Sequence, residues 1–296
     1  MVSQLAELYN KTDNDMFRIL RVIESLLVKY EYPPIELVER RSKLPPGRFR
    51  RALEKLVEFK LIKKGKHQLM GYTLTFQALD LLALRALAIR GTVSELGPKI
   101  GVGKESEVYD ALSPTGLRLV LKFHREGARS FKSVRKTRIY MANTTRKQWI
   151  LKAKLIGERE FKALDTLYKL GALVPKPIDY NRHAIVQQYI EGVELYTLPD
   201  NSLDSPMEVL SDIINTIRIA YIKAGIVHGD LSEYNILIST EGKPYIIDWP
   251  QYVYKEDPNA DELLKRDVYY IIRFFNKKFK VGADPEEVIK EIKGGI

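Results

Sequence analysis

The sequence predicts an α+β chain in two parts: a small helical unit closed by a hairpin, then a larger part in which strands precede helices. Three observations carry that expectation. Apolar residues recur at helical spacing from Met16 to Val57 and then give way to two short strand-like runs. From Ile100 the pattern turns to glycine-punctuated strands, with long helical stripes following later. The stretch from Ile226 to Trp249 then sets short apolar runs between Asp230, Asn235 and Asp248.

Composition narrows the function. The 296 residues leave room for two domains, or for one large domain with an appendage, and a 45% hydrophobic content suits a globular core. The absence of cysteine excludes disulfides, thiolate metal sites and cysteine nucleophiles, and fits a reducing cytoplasm, the expected compartment. Met1 to Glu7 lack the basic and apolar regions of a signal peptide. No uncharged apolar run reaches the roughly 18 residues of a membrane span. The net charge of +10 favours a polyanionic partner.

The first helix is expected from about Asp15 to Tyr30, with Met16, Ile19, Leu20, Ile23, Leu26, Leu27 and Tyr30 along its apolar stripe. Pro33-Pro34 ends it and opens a short helix, Ile35 to Arg41. A turn from Ser42 to Gly47 leads to a third helix with Phe49, Ala52, Leu53, Leu56 and Val57 on one face. A strand at Leu61-Ile62, a basic turn at Lys63-Lys64-Gly65-Lys66 and a strand at Tyr72 to Thr75 complete the order of a winged helix-turn-helix. Arg40, Arg41, Lys43, Arg48, Arg50, Arg51, Lys55 and Lys60 point outward there, opposed only by Glu54 and Glu58. A contact with a nucleic-acid phosphate backbone is therefore expected through Arg48, Arg50, Arg51, Lys55, Lys63, Lys64 and Lys66, with RNA as suitable as DNA. The alternative is a solvated or protein-binding face. Thr75 to Ile89 reads as a connector helix ended by Gly91, which divides the chain into residues 1–90 and 91–296.

The second part opens with Gly101, Gly103, Lys104, Ser106 and Glu107, a flexible turn able to lay backbone N–H groups over phosphates. The residues after it read as a hairpin, Val108 to Leu112 and Leu117 to Phe123 around Ser113 to Gly116, not as the helix of a dinucleotide fold. Lys122 is a charge in an apolar strand, suited to grip phosphates or, alternatively, to reach solvent from the strand edge. On the next long helix Glu160 shares the apolar stripe with Ala153, Ile156, Ala163, Leu164 and Leu167, whereas Glu158 faces water. A carboxylate on a buried stripe needs a countercharge, so Glu160 is chosen as the partner of Lys122.

The segment from Arg125 to Lys147 is strongly basic, with Glu126 its single acid. It reads either as a solvated linker or as a segment that orders on nucleotide or RNA, with Ser130 a candidate autophosphorylation site. Ala184 to Gly192 reads as a strand running into a linker, where the main chain of Gln188 and Ile190 could meet an adenine edge; a core strand and turn is the alternative. Ser205-Pro206-Met207-Glu208 is expected to form a capping box, and Gly225 to close the helix that follows.

If Glu241-Gly242 forms a two-residue turn, Ser239 faces Pro244, Ile236 faces Ile247 and Asn235 faces Asp248, with Cβ atoms roughly 5 Å apart. An amide oxygen and a carboxylate so placed are hard ligands suited to Mg²⁺ beside phosphate oxygens. Asp230 lies just upstream, where a carboxylate can take a proton from an attacking hydroxyl. Phosphoryl transfer from a nucleotide is the expected chemistry.

Taken together, Gly101, Gly103, Lys122, Glu160, Asp230, Asn235 and Asp248 occur in the order found in protein kinases. The motifs IGVGKESEVY, VLKFHREG, REFKAL, VHGDLSEYNIL and IIDWPQ closely resemble the RIO family of atypical serine kinases, in its second subfamily with an N-terminal winged helix. The resemblance spans nearly the whole chain. It implies a reduced bilobal protein-kinase-like domain after the winged helix, with lobes at about 91–187 and 193–296 joined by a hinge at 188–192. It implies ATP with Mg²⁺ or Mn²⁺, serine autophosphorylation, and a role in maturing the small ribosomal subunit, with ribosomal RNA and the pre-ribosomal particle as partners of a monomer. It further implies that Asp230 is catalytic, that Asn235 and Asp248 hold metal, that Lys122 backed by Glu160 contacts phosphate, and that Gly103 to Ser106 cover the triphosphate. Gln188 and Ile190 would hold adenine.

The departures from ordinary protein kinases are specific. Gly229 replaces an arginine, Ser232 stands where a lysine usually assists the γ-phosphate, and Asp248-Trp249-Pro250 replaces Asp-Phe-Gly. Too little chain follows Asp248 for an activation segment and peptide-docking subdomain. The resemblance implies an activity suited to that gap: slow ATP hydrolysis through a transient phosphate on Asp248. Two other readings keep the same polar spacing, a small-molecule kinase of the aminoglycoside or choline type and a non-catalytic RNA-binding factor with a nucleotide switch.

Overall fold

The computed structural model describes residues 3–65, 71–102, 106–125, 149–200 and 202–294. They form two compact units, Met1–Glu158 with Asp179–Val186, and Arg159–Ile178 with Gln187–Ile296.

The first unit begins with a helix the apolar pattern did not suggest, α1 (Gln4–Lys11), capped by the Ser3 hydroxyl, which accepts from Ala6 N–H at 3.1 Å. Helices α2 (Asn14–Leu26), α3 (Ile35–Ser42) and α4 (Pro46–Glu58) follow the expected order. Asp13 caps α2, and Pro46 opens α4. Val57, expected on the buried face of α4, is exposed, because the core stripe runs through Phe49, Ala52, Leu53 and Leu56. The wing is shifted from its expected position. Lys63 and Lys64 lie within β1 (Ile62–Lys64), which pairs antiparallel with β2 (Tyr72–Leu74), so the turn begins after them.

Helix α5 (Phe76–Ile89), capped by Thr75, is buried over most of its surface. Its apolar residues join those of α2 and α4 and those of Tyr109, Leu119, Leu121, Phe123, Ala184 and Val186 in one continuous cluster. A helix apolar nearly all round belongs in a core. It is the centre of the unit, where a connector was expected.

The sheet runs in the order β3 (Glu95–Val102), β4 (Ser106–Leu112), β5 (Arg118–His124), β7 (Ala184–Gln188), β6 (Pro177–Asn181). The β4–β5 hairpin around Ser113 to Gly116 is as expected. The chain enters the second unit within α6 (Trp149–Lys169) and at the ends of β6 and β7.

The second unit contains β8 (Gly192–Glu194), α7 (Pro206–Arg218), β9 (Ile226–Val227), β10 (Ile236–Ser239), β11 (Pro244–Ile246), β12 (Val253–Tyr254), α8 (Ala260–Phe279) and α9 (Pro285–Gly294). The capping box at Ser205 does not form. Its side chain makes no cap bond, and Glu208 N–H donates to the Ser205 carbonyl instead. Helix α7 continues as a π-helical segment through Ala224, and Gly225, at φ +66°, ends it as expected. Two-stranded β12–β9 pairing and then α8 follow Asp248 directly.

Candidate active site

The expected pairing of Asn235 with Asp248 is corrected by one residue. In the β10–β11 hairpin Ile236 faces Ile246, Leu237 faces Tyr245 and Ile238 faces Pro244. Ser239 bonds Lys243 O through its N–H, and Gly242 N–H donates to Ser239 O at 2.9 Å with Gly242 at φ +78°. These are the marks of a three-residue loop closed by a left-handed residue, not of a two-residue turn. Asn235 therefore stands opposite Ile247, whose N–H donates to Asn235 O at 2.9 Å. Asp248 turns out of the strand at φ +66°, a conformation that asparagine and aspartate tolerate better than other side chains.

A hydrogen-bond web nevertheless gathers the three residues in the second unit. Asn235 Nδ2 donates to the Asp230 carbonyl at 2.8 Å. His228 Nε2 bonds Ile247 O at 3.1 Å, and its Nδ1 lies 3.3 Å from Asp230 N. The His228 ring packs on buried Trp249 with centroids 4.6 Å apart, and the indole N–H bonds Ile246 O. Residues on both sides of Asp248 are thus tied to residues on both sides of Asp230.

The loop around Asp230 is held from below by a residue the sequence reading missed. Asp267 on α8, 1% exposed, accepts from Gly229 N–H at 2.7 Å and from Leu231 N–H at 3.3 Å. Arg266 bonds the Gly229 carbonyl and lies 3.1 Å from Asp267. Gly229 needs to be glycine: its φ is +78°, and a Cβ there would sit 3.1 Å from Gln251 O. Asp267 lies in the apolar stripe with Leu264, Val268 and Ile271, the same signal that singled out Glu160.

Electrostatics suit a base at Asp230. Burial by the surrounding protein raises its carboxyl above the ordinary value, opposed by His228 and Arg266 and reinforced by the carboxylates of Asp267 and Asp248. Burial also raises Asp267. Among the described residues no group of three or more histidine, cysteine or carboxylate side chains could hold a metal. The donor set fits instead an ion held by few protein groups. With Asn235 Nδ2 spent on Asp230 O, Asn235 Oδ1 and the Asp248 carboxylate are the residues that would hold such an ion, the rest coming from phosphate and water.

The residues expected to meet nucleotide fall in both units. In the first, Gly101 faces Val108 on the rung before the last pair, Val102 with Glu107, and Ser106 opens β4. Glu107 is occupied by Arg125 at 2.9 Å and Lys99 at 3.1 Å. Lys122 is buried on β5, 5% exposed. Glu158, the last residue of that unit's first stretch, is half-buried; in the second unit, Glu160 is 1% exposed on α6. Gln188 N–H is spent on Lys176 O at 2.9 Å, so only its carbonyl can meet a base; Ile190 is buried. Ser232 O accepts from Asn235 N–H at 3.0 Å at the start of the turn holding Asn235. Gly103, Lys104, Lys66 and Ser130 lie outside the described residues.

The basic face is less uniform than its composition suggests. Arg48 makes two bonds to Asp15, at 2.6 and 2.7 Å, and Lys55 lies 3.8 Å from Asp13. Those two aspartates on and before α2 add to Glu54 and Glu58, the only acids expected to oppose the face. Arg50, Arg51, Lys63 and Lys64 are exposed. Arg125, counted with the basic segment, is instead held in the core of the first unit by Asp80.

The family model described as RIO domain matches residues 107–288, and the model described as Rio2, N-terminal matches residues 9–90. The RIO-type serine/threonine-protein kinase Rio2 of Methanocaldococcus jannaschii is 36% identical over 262 residues, 88% of this chain and 95% of that protein. The serine/threonine-protein kinase rio2 of Schizosaccharomyces pombe is 35% identical, over 90% of this chain and 77% of that protein. The crystal structure of the Rio2 kinase-ADP/Mg2+-phosphoaspartate complex from Chaetomium thermophilum matches with a TM-score of 0.84 at 32% identity, covering 100% of this chain and 89% of that one. The chain belongs to the RIO kinase family, in its Rio2 branch.

Proposed function

We propose that this protein is an ATP- and divalent-metal-dependent atypical serine/threonine kinase and ATPase that works on the maturing small ribosomal subunit. The observation that carries the chemistry is the web joining Asp230, Asn235 and the Asp248 turn through Asn235 Nδ2, Ile247 N–H and His228. Mg²⁺ or Mn²⁺ at Asn235 Oδ1 and Asp248 would neutralise charge on the triphosphate. Asp230, its carboxyl raised by burial, accepts the proton of an attacking serine hydroxyl or orients a water. Lys122, buried on β5, contacts the phosphates, and the Gln188 carbonyl with the Ile190 main chain receives adenine.

The Chaetomium thermophilum neighbour, a complex with ADP, Mg²⁺ and phosphoaspartate, supports a two-step ATPase. A carboxylate oxygen of Asp248 attacks the γ-phosphorus, ADP leaves, and water then cleaves the acyl phosphate to release inorganic phosphate. The brief passage from Asp248 through β12 to α8 supports the same reading, because no long activation segment intervenes to bind a peptide. The net charge of +10 and the exposed Arg50, Arg51, Lys63 and Lys64 support an RNA-rich work site. Asp230→Asn tests the assignment: ATP affinity should persist while phosphoryl transfer falls by about a thousandfold or more. Wild-type turnover in that variant would refute it.

A further inference from the structure

Arg125 is a closely held cation of the first unit. Its Nη1 and Nη2 donate to Asp80 Oδ1 and Oδ2 at 2.6 and 2.8 Å, and Nη2 also donates to Glu107 Oε2 at 2.9 Å. The guanidinium lies 5.6 Å from the Phe76 ring centroid and 5.5 Å from that of Phe123. Asp80, 2% exposed, is on α5, and its Oδ1 also meets Nε2 of fully buried His183 at 2.7 Å. A bidentate pair at this depth, with aromatic rings beside it, has one geometry. Glu107 has little freedom either, since Lys99 approaches it at 3.1 Å and Tyr109 Oη donates to it at 3.3 Å.

The position of Glu107 gives this cluster a consequence. Glu107 pairs with Val102 on one side and Phe123 on the other, so it sits on the last rung at the end of β3. That rung is flanked by Gly101 and Ser106. A shift of a fraction of an ångström there would move backbone N–H groups relative to a phosphate. Two other ion pairs among the described residues tie the N-terminal helices to α6 and to the β6–β7 turn rather than to the rung. Arg182 bonds Glu24 at 2.7 and 2.6 Å, and Lys154 meets the same carboxylate at 2.8 Å, but neither touches β4.

We propose that Asp80 and Arg125 are positioning residues for nucleotide binding: through Arg125, the N-terminal helix α5 sets the place of Glu107 and with it the phosphate-facing rung of the β3–β4 hairpin. The inference rests on the nucleotide reading above. It makes the N-terminal helical region part of the ATP site's support, and it provides a route by which a ligand on that region would alter ATP affinity.

The test is a double-mutant cycle on the full chain, with ATP and Mg²⁺ titrated by calorimetry and steady-state ATP hydrolysis measured in parallel. Asp80→Asn and Glu107→Gln should each weaken ATP binding and raise KM by about five- to tenfold, with kcat at saturation within about twofold. The double variant should be no worse than the weaker-binding single one, because both break the same relay. Arg182→Gln, which cuts the neighbouring tie, should lower Tm yet leave ATP affinity within about twofold. Should Asp80→Asn fail to fold, Arg125→Lys, which keeps charge and loses the fork, takes its place in the cycle. Wild-type ATP affinity in a folded Asp80→Asn, additive effects in the double variant, or an equal loss of ATP affinity in Arg182→Gln would overturn the proposal. Absence of ATP binding by the wild-type protein would overturn the nucleotide reading, and this inference with it.

Discussion

The carboxylate of Asp267 accepts the amide hydrogen of Gly229 at 2.7 Å, one residue before the proposed base. A second bond from Leu231 N–H lets one buried side chain span Asp230 and fix the direction of its carboxylate. Asp267→Ala should therefore act twice. Leaving Arg266 and two amides without that acceptor should cost about 3 kcal/mol, read by urea unfolding. Phosphoryl transfer should fall more than the stability loss explains, by at least about tenfold under conditions where the variant is fully folded. A folded variant with normal turnover would show that Asp230 needs no such support.

Asp230 should cost the protein stability for its function. Its carboxyl is raised, chiefly by burial, so the folded state holds a proton more tightly than the unfolded chain does. Folding is then opposed by this group at neutral pH, and the opposition is relieved as pH falls through the raised folded value and below the unfolded one. In chelator-treated protein, Asp230→Asn should raise Tm near pH 7.5 relative to wild type, with the gain shrinking toward pH 4. A variant that is less stable than wild type at pH 7.5 would contradict the account.

Gly229→Ala places a side chain at φ +78° and against Gln251 O. The expected cost is about 1–3 kcal/mol, measured by thermal unfolding, accompanied by a loss of turnover because the strained residue adjoins Asp230. Unchanged stability would mean the loop adopts another conformation.

On the basic face, the ion pairs grade the residues. Arg50→Glu with Arg51→Glu should weaken binding to small-subunit ribosomal RNA and flatten its dependence on salt by about 0.7–0.9 in slope for each lost phosphate contact. Arg48→Glu should weaken it less, because Asp15 already neutralises Arg48. An unchanged slope in the Arg50/Arg51 variant would point to a protein partner on this face.

What the sequence made legible was local. Helical stripes located α2, α4 and α6, and the charge on a buried stripe picked out Glu160 over Glu158. The same rule applied to Leu264, Val268 and Ile271 would have found Asp267. The hairpin register failed because a glycine at positive φ serves both two- and three-residue loops, and composition at Thr240 to Gly242 does not separate them. The Ser205 capping box failed because the sequence pattern fixes no backbone angle, and the Ser205 carbonyl took the Glu208 N–H. The Asp80 cluster was out of reach. It joins α5, β4, the end of β5 and the β6–β7 turn, positions far apart in the chain, and no local periodicity encodes such a meeting.

The destination of the γ-phosphate decides between these chemistries. Wild-type protein incubated with γ-labelled ATP and Mg²⁺ should acquire label that is stable to acid and released by hydroxylamine, mapping to Asp248 and absent from Asp248→Asn, alongside any hydroxylamine-resistant label on serine. Label that persists unchanged on Asp248→Asn, or no turnover of ATP at all, would contradict the two-step ATPase.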